Sequence, residues 1–256
     1  MNKSLTLLTF LFFGLSANSY GIPLYVETFD DNTDPTYVTR FGNPEITGPT
    51  GSFASNSLAF NSAGNTTPPF YYDQIYFPIG ESGSQFEGFG TNPISVSFDL
   101  LFENFIGSAT RFTMFFNTPT FSNLNFQSSV SAGFINAVST DPLASFNTNI
   151  GMFSDGEILN FDMIIDVGNN LWDISINDNL IFSSNIASTP ESLLSIGFTH
   201  GLASTNENFS ATTYLDNVVI SAVPEPGILF LLSIAILLLL AYIKSWKSRS
   251  LASTLC

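Results

Sequence analysis

From residue 22 to residue 222, apolar side chains recur at every second position. Ser95-Val96-Ser97-Phe98-Asp99-Leu100 alternates and then becomes apolar on both faces at Leu101-Phe102. That is the pattern of a half-buried strand whose far end is covered on its outer side too. Residues 111–116, 159–165, 171–176 and 214–220 read likewise, and 24–29, 57–60, 71–77, 133–138, 180–183 and 194–199 are further strand candidates. Between them lie turn-forming clusters such as Gly48-Pro49-Thr50-Gly51 and Gly168-Asn169-Asn170, whose residues supply positive φ or local backbone hydrogen bonds. No amphipathic helix of three turns interrupts the series. Short strands at turn-punctuated intervals predict an all-β sandwich or barrel. With 27 Phe, 45% apolar and only 11% charged residues, the chain has the material for a core and is unlike an acidic disordered tail.

One hairpin is legible directly. Trp172, Ile174 and Ile176 lead into Asn177-Asp178-Asn179, which tolerate positive φ, and Leu180-Ile181-Phe182 leads back. This stretch resembles the Trp-initiated hairpin of concanavalin A-like jelly rolls. Val26-Glu27-Thr28-Phe29-Asp30-Asp31 and Tyr214-Leu215-Asp216-Asn217-Val218-Val219-Ile220 are similar to the first and last strands of that superfamily. The resemblance implies a jelly-roll β-sandwich in which those two strands lie side by side.

The two ends read as addresses. Met1-Asn2-Lys3, an apolar run from Leu5 to Leu15 and small residues at Ser19 and Gly21 form a secretory signal peptide over 1–21, with cleavage after Gly21 or Ala17. Gly227 to Ile243 is apolar but for Gly227, Ser233 and Tyr242. At ~1.5 Å per residue it reaches roughly 26 Å, enough for one transmembrane helix with help from its flanks. Lys244, Lys247 and Arg249 follow, and such a basic cluster stays cytoplasmic. The domain over 22–222 is therefore expected outside the cytoplasm. Before the helix stand Val223, Pro224, Glu225 and Pro226; prolines on either side of Glu225 deny the chain regular hydrogen bonding and make an extended joint. Motif, helix and basic residues over 223–250 resemble the PEP-CTERM sorting signal of exported bacterial proteins, though a tail over 251–256 follows the basic residues. The resemblance implies handling by the secretion translocon, then cleavage near the motif by an exosortase. It further implies a host that makes exopolysaccharide, and a fate at the cell surface or in the extracellular matrix.

Twenty-one carboxylates against six Lys and Arg give −15, which excludes a nucleic-acid binder. The middle of the chain is more acidic still: over 22–222 only Arg40 and Arg111 oppose 20 acids, a balance of −18. Cys256 is the sole cysteine and His200 the sole histidine, so neither a disulfide framework nor a Cys/His metal centre is available. No nucleophile elbow or phosphate-cradling glycine loop occurs. His200 is expected at a strand end or in a loop. Asp99 with Glu103, and Asp162 with Asp166, have the four-residue spacing that puts two carboxyls on one strand face, as glycoside hydrolysis requires across a sugar. Neither pair matches the close Glu-x-Asp-x-x-Glu array of laminarinase-like enzymes. The expectation is a non-enzymatic protein. If the first and last strands are neighbours, Glu27 or Asp30 could share a structural Ca²⁺ with Asp216. Tyr71, Tyr72 and Tyr76 form the best cluster of ring-bearing residues for stacking on a glycan. A lectin-like module is the alternative function, and a secreted glycoside hydrolase a further one.

Overall fold

The computed structural model describes residues 22–30, 37–42, 44–50, 53–61, 72–78, 93–106, 110–117, 122–127, 133–142, 145–166, 168–185, 195–202 and 211–223, with 236, 237 and 240. Gly21–Ala222 forms one compact unit. Its strands are β1 (Ile22–Glu27), β2 (Val38–Phe41), β3 (Glu45–Thr47), β4 (Ser57–Phe60), β5 (Tyr72–Pro78), β6 (Ile94–Glu103), β7 (Thr110–Asn117) and β8 (Ser122–Gln127). They continue with β9 (Gly133–Ser139), β10 (Phe146–Phe153), β11 (Ile158–Asp166), β12 (Leu171–Ile176), β13 (Asn179–Asn185), β14 (Ser195–Leu202) and β15 (Thr212–Ala222).

The strands pair antiparallel into two sheets. One runs β13-β12-β11-β6-β15-β4-β3 with β1 also on β15; the other runs β10-β9-β8-β7-β14-β5-β2. Every candidate strand read from the alternation is present. β1 pairs β15 from Ile22↔Ala222 to Glu27↔Val218, so the first and last strands are indeed neighbours. Asn177 and Asp178, at φ 50° and 63°, make the two-residue turn between β12 and β13, the left-handed geometry that a hairpin of this length needs.

The alternation is physically resolved by the core. Ile94, Val96, Phe98, Leu100 and Phe102 of β6 point between the sheets, as do Phe112, Met114 and Phe116 of β7 and Ile196 and Phe198 of β14, all essentially without solvent exposure. Phe98 stacks on Phe161 of its own sheet at 4.9 Å, and rings bridge the layers where Phe98 meets Phe198 edge-on at 5.1 Å and Trp172 meets Phe116 at 4.8 Å. Leu101, the outward residue that broke the alternation, is buried in a satellite cluster with Phe53, Ala59 and Tyr214 on the outer side of the sheet.

β15 is the hub of its sheet. It pairs β6 along one side, while its other side pairs β4 over Thr213–Leu215 and β1 over Val218–Ala222. Where the partner changes, β15 carries a bulge between Asp216 and Val219, with Asn217 at φ 52°. Bulges also mark the outer strands: the register shifts between Pro23 and Tyr25 in β1, Thr39 and Phe41 in β2, Asn149 and Gly151 in β10, and opposite Ile174 and Ser175 in β13. An extra residue twists an edge away from flat pairing with another chain.

The expected leader over 1–21, the Pro224-Glu225-Pro226 segment and the basic cluster over 244–249 lie outside the described residues. Of the expected transmembrane helix over 227–243, Ile236, Leu237 and Leu240 are described, helical and exposed. Among the described residues no helix is long and apolar enough to cross a membrane.

Candidate functional site

The outer face of the seven-stranded sheet follows from the same alternation. Ile75, Phe77, Ile196, Phe198, Met114, Phe116, Leu124 and Ala137 take the core, so their neighbours project outward. The register places these outward residues in rows. One row crosses six strands as Gln74, Thr199, Thr113, Asn125, Asn136 and Asn149, each directly opposite the next. All six are polar and uncharged. The Thr113 hydroxyl donates to Asn125 Oδ1 at 2.8 Å, and Asn149 Oδ1 accepts the Gly151 backbone N–H at 3.1 Å.

The adjacent row is built around Gly197, which lies between Tyr76 and Phe115. A Cβ at Gly197 would meet Phe115 Cζ at 2.2 Å and its two Cε atoms at 2.6 and 2.8 Å. Near-equal approach to all three tip atoms means that the ring lies with one face on the glycine, and Phe115 is only half-buried. The missing side chain of Gly197 therefore lets Phe115 rest flat on the sheet. Tyr76, also half-buried, flanks the glycine on its other side. Next to Phe115, Asn123 is buried, and its Oδ1 has no hydrogen-bond partner.

Of the three tyrosines proposed for stacking, Tyr76 is on this face, Tyr72 opens β5 opposite Gly201, and Tyr71 lies outside the described residues. Phe115 is the ring that sequence reasoning missed. Its outward position follows from Phe112, Met114 and Phe116 being inward, but the glycine that seats it comes from a strand 82 residues away in sequence, which no local signal reveals.

The carboxylates proposed for chemistry sit on the outer face of the other sheet. Asp99 and Asp216 are directly opposite each other on β6 and β15. Asp99 Oδ1 accepts from Asn160 Nδ2 at 2.6 Å, and its Oδ2 from Asn217 Nδ2 at 2.8 Å. Asp216 Oδ2 accepts the Ser55 hydroxyl at 2.5 Å and its Oδ1 the Asn217 N–H at 2.7 Å. Burial raises the Asp216 pKa above the ordinary carboxylate value; the two hydrogen bonds lower it, and the charges of Asp99 and Asp30 push it up again. Glu103 accepts the Tyr214 hydroxyl at 3.1 Å, and Asp166 holds the turn through the Asn169 N–H and amide, both at 2.8 Å. Asp162 is exposed on β11, its pKa raised by partial burial and by Asp178 and Asp99.

The expected calcium trio is divided. Glu27 is opposite Val218, whose side chain belongs to the core, so it faces between the sheets; there its Oε1 accepts the Phe29 N–H at 3.0 Å. Asp216 follows core residue Leu215 and faces outward. The charge of Asp30 does reach Asp216. Among the described residues no three of His, Cys, Asp or Glu are grouped to hold a metal ion, and the residues present do not fit a Ca²⁺ shared by Glu27 and Asp216.

His200 also departs from expectation. It is fully buried inside β14, on the inward side with Ile196 and Phe198, near the rings of Phe105 and Phe112 at 6.3 and 6.4 Å. Burial lowers its pKa to about 4, against the opposing pull of a backbone hydrogen bond to Phe60.

No protein-family model matches the chain, and no curated protein sequence matches it. Solved structures do. The chain is similar to the cellulose induced protein Cip1 at TM-score 0.55 and 11% identity, over 77% of this chain and 96% of that one. It is similar to the globular domain of T. cruzi calreticulin at 0.53 and 11%, over 82% and 91%. It is similar to a carbohydrate esterase from the Shiga toxin-encoding bacteriophage phi24B at 0.52 and 8%, over 78% and 100%. A sialidase is matched at TM-score 0.45, with the chain spanning 16% of its length. At these identities the likeness shows the fold alone: a β-sandwich of two antiparallel sheets.

Proposed function

We propose that the domain over 22–222 is a non-enzymatic glycan-binding module of an exported bacterial surface or matrix protein. The observation that carries this reading is the half-buried ring of Phe115 laid flat on Gly197 beside the uncharged row from Gln74 to Asn149. A sugar offers C–H groups to a ring face and hydroxyls that both donate and accept. Side-chain amides and threonine hydroxyls answer both polarities without the desolvation cost of a charge. The hydrogen-bonded Asp99 and Asp216 support the non-enzymatic reading, since each already accepts two bonds that fix a strand or loop.

Phe115→Ala is expected to weaken binding on an array of neutral and uronate-bearing oligosaccharides by roughly ten-fold, the effect of losing one ring contact. The variant should still fold, because Phe115 is only half-buried. An array on which the native protein retains no glycan would overturn the reading.

The Val223 to Pro226 motif, the apolar run and the basic cluster support export followed by exosortase processing, with exopolysaccharide as the partner at the surface. In a host with an active exosortase, intact-mass analysis of surface material is expected to find a product lacking residues 227–256. A product that keeps the apolar run would count against processing.

A further inference from the structure

We infer that the glycan taken by the seven-stranded sheet carries a carboxylate, which Arg111 receives; this rests on the glycan-binding reading. The argument starts from how charge is divided between the sheets. Strands of the eight-stranded sheet hold Glu27, Glu45, Asp99, Glu103, Asp162, Asp166, Asp173 and Asp216. Strands of the seven-stranded sheet hold one acid, Asp73, which is buried on the core side with Ile75 and Phe77. Both arginines of the domain, Arg40 in β2 and Arg111 in β7, belong to this second sheet. In a domain at −18, this division leaves one face without an outward strand carboxylate and with the domain's cations in its strands.

Arg111 is exposed and outward on β7, opposite Gly201 on one side and Gln127 on the other. It stands on the same strand face as Thr113 and Phe115. Four residues separate Arg111 from Phe115, so ~13 Å lie between their backbone positions at about 3.3 Å per residue. A ring-stacked sugar can thus lie on Phe115 and its neighbours along Thr113 and Asn125, while an acidic unit further along the chain reaches the guanidinium. Arginine matches a carboxylate with two parallel N–H donors. Repulsion from the acids of the opposite sheet is screened over about 8 Å at physiological salt, shorter than the thickness of the sandwich at ~10 Å between sheets.

The test uses the full-length chain in detergent and an array of glucuronoxylan, alginate and hyaluronan oligosaccharides, each printed native and after reduction of its carboxyl groups to alcohols. The native form of a retained glycan is expected to bind roughly five-fold more tightly than its reduced form, a contrast that shrinks with added salt. Arg111→Gln should abolish the contrast by bringing affinity for the native form down to that for the reduced form, and Arg111→Lys should retain part of the contrast. Equal binding of native and reduced forms, or a contrast that survives Arg111→Gln, overturns the inference and leaves glycan binding standing. Silence of both forms of every glycan overturns glycan binding itself and this inference with it.

Discussion

Truncating Phe102 to alanine is expected to destabilise the domain by about 3–5 kcal/mol, the range for removing a fully buried aromatic ring. The residue has no solvent exposure and touches four other rings: Phe105 at 4.8 Å, Phe112 at 6.0 Å, Phe126 at 5.3 Å and Phe153 at 4.4 Å. Three of those rings come from three strands of the facing sheet and the fourth from the segment after β6, so the hole cannot be closed by one side chain moving. Phe153 in turn lies over Gly133, where a Cβ would approach its ring to 2.3 Å, which confines it on the other side. Against a total stability of about 5–15 kcal/mol for a typical domain, the loss is a large fraction. Urea unfolding should show a lower midpoint with an unchanged slope. Leu180→Ala, at a side chain 65% exposed, is the control and should change stability by less than ~0.5 kcal/mol. Similar losses in the two variants would contradict the packing described for Phe102.

Acid should weaken the fold through His200. In the folded chain its pKa is lowered to about 4 from 6.5, chiefly by burial. The unfolded chain therefore takes up a proton at a pH where the folded one does not. The stability tied to this group is complete above pH 6.5, declines as the pH falls, and is gone below about 4, for a total on the order of 3 kcal/mol. Asp216 works in the opposite direction: its folded pKa is raised, so the folded chain binds its proton first, and stability is regained as pH falls through that value. Unfolding midpoints measured from pH 7 to 4 should fall for the native chain and fall less for His200→Leu. An identical decline in both would remove His200 as its source.

The strands that alternation did not reveal share a physical character. β8 reads Ser-Asn-Leu-Asn-Phe-Gln and β10 reads Phe-Asn-Thr-Asn-Ile-Gly-Met-Phe; their Asn, Ser and Gly residues belong equally to turns. They are strands because Leu124 and Phe126 of β8 reach the core and because β9 offers both a register. β2 and β3, at four and three residues, are too short to show a period. For the site, composition legibly offered Tyr76 and the acidic pairs, but which residues stand side by side is set by cross-strand register. Thr113 meets Asn125 through a neighbouring hairpin, whereas Thr199 and Gly197 arrive from far along the chain. Glu27 shows the same limit: adjacency of β1 and β15 was legible, but the bulge at Asn217, which shifts β15 by one residue against β6, was not.

That hub strand also decides how the domain bears force. β15 ends at Ala222, so a pull applied to the chain beyond that residue reaches the domain through this strand. Hydrogen bonds to β6, β4 and β1 stand across its axis on both sides, and axial pulling loads them together in shear instead of opening them one after another. A glycan held on the opposite sheet would transmit its drag through the aromatic core into β15, which among the described strands has the most pairing partners. Under the proposed function, the arrangement would make the domain a stiff link between a C-terminal tether and a glycan on its seven-stranded sheet.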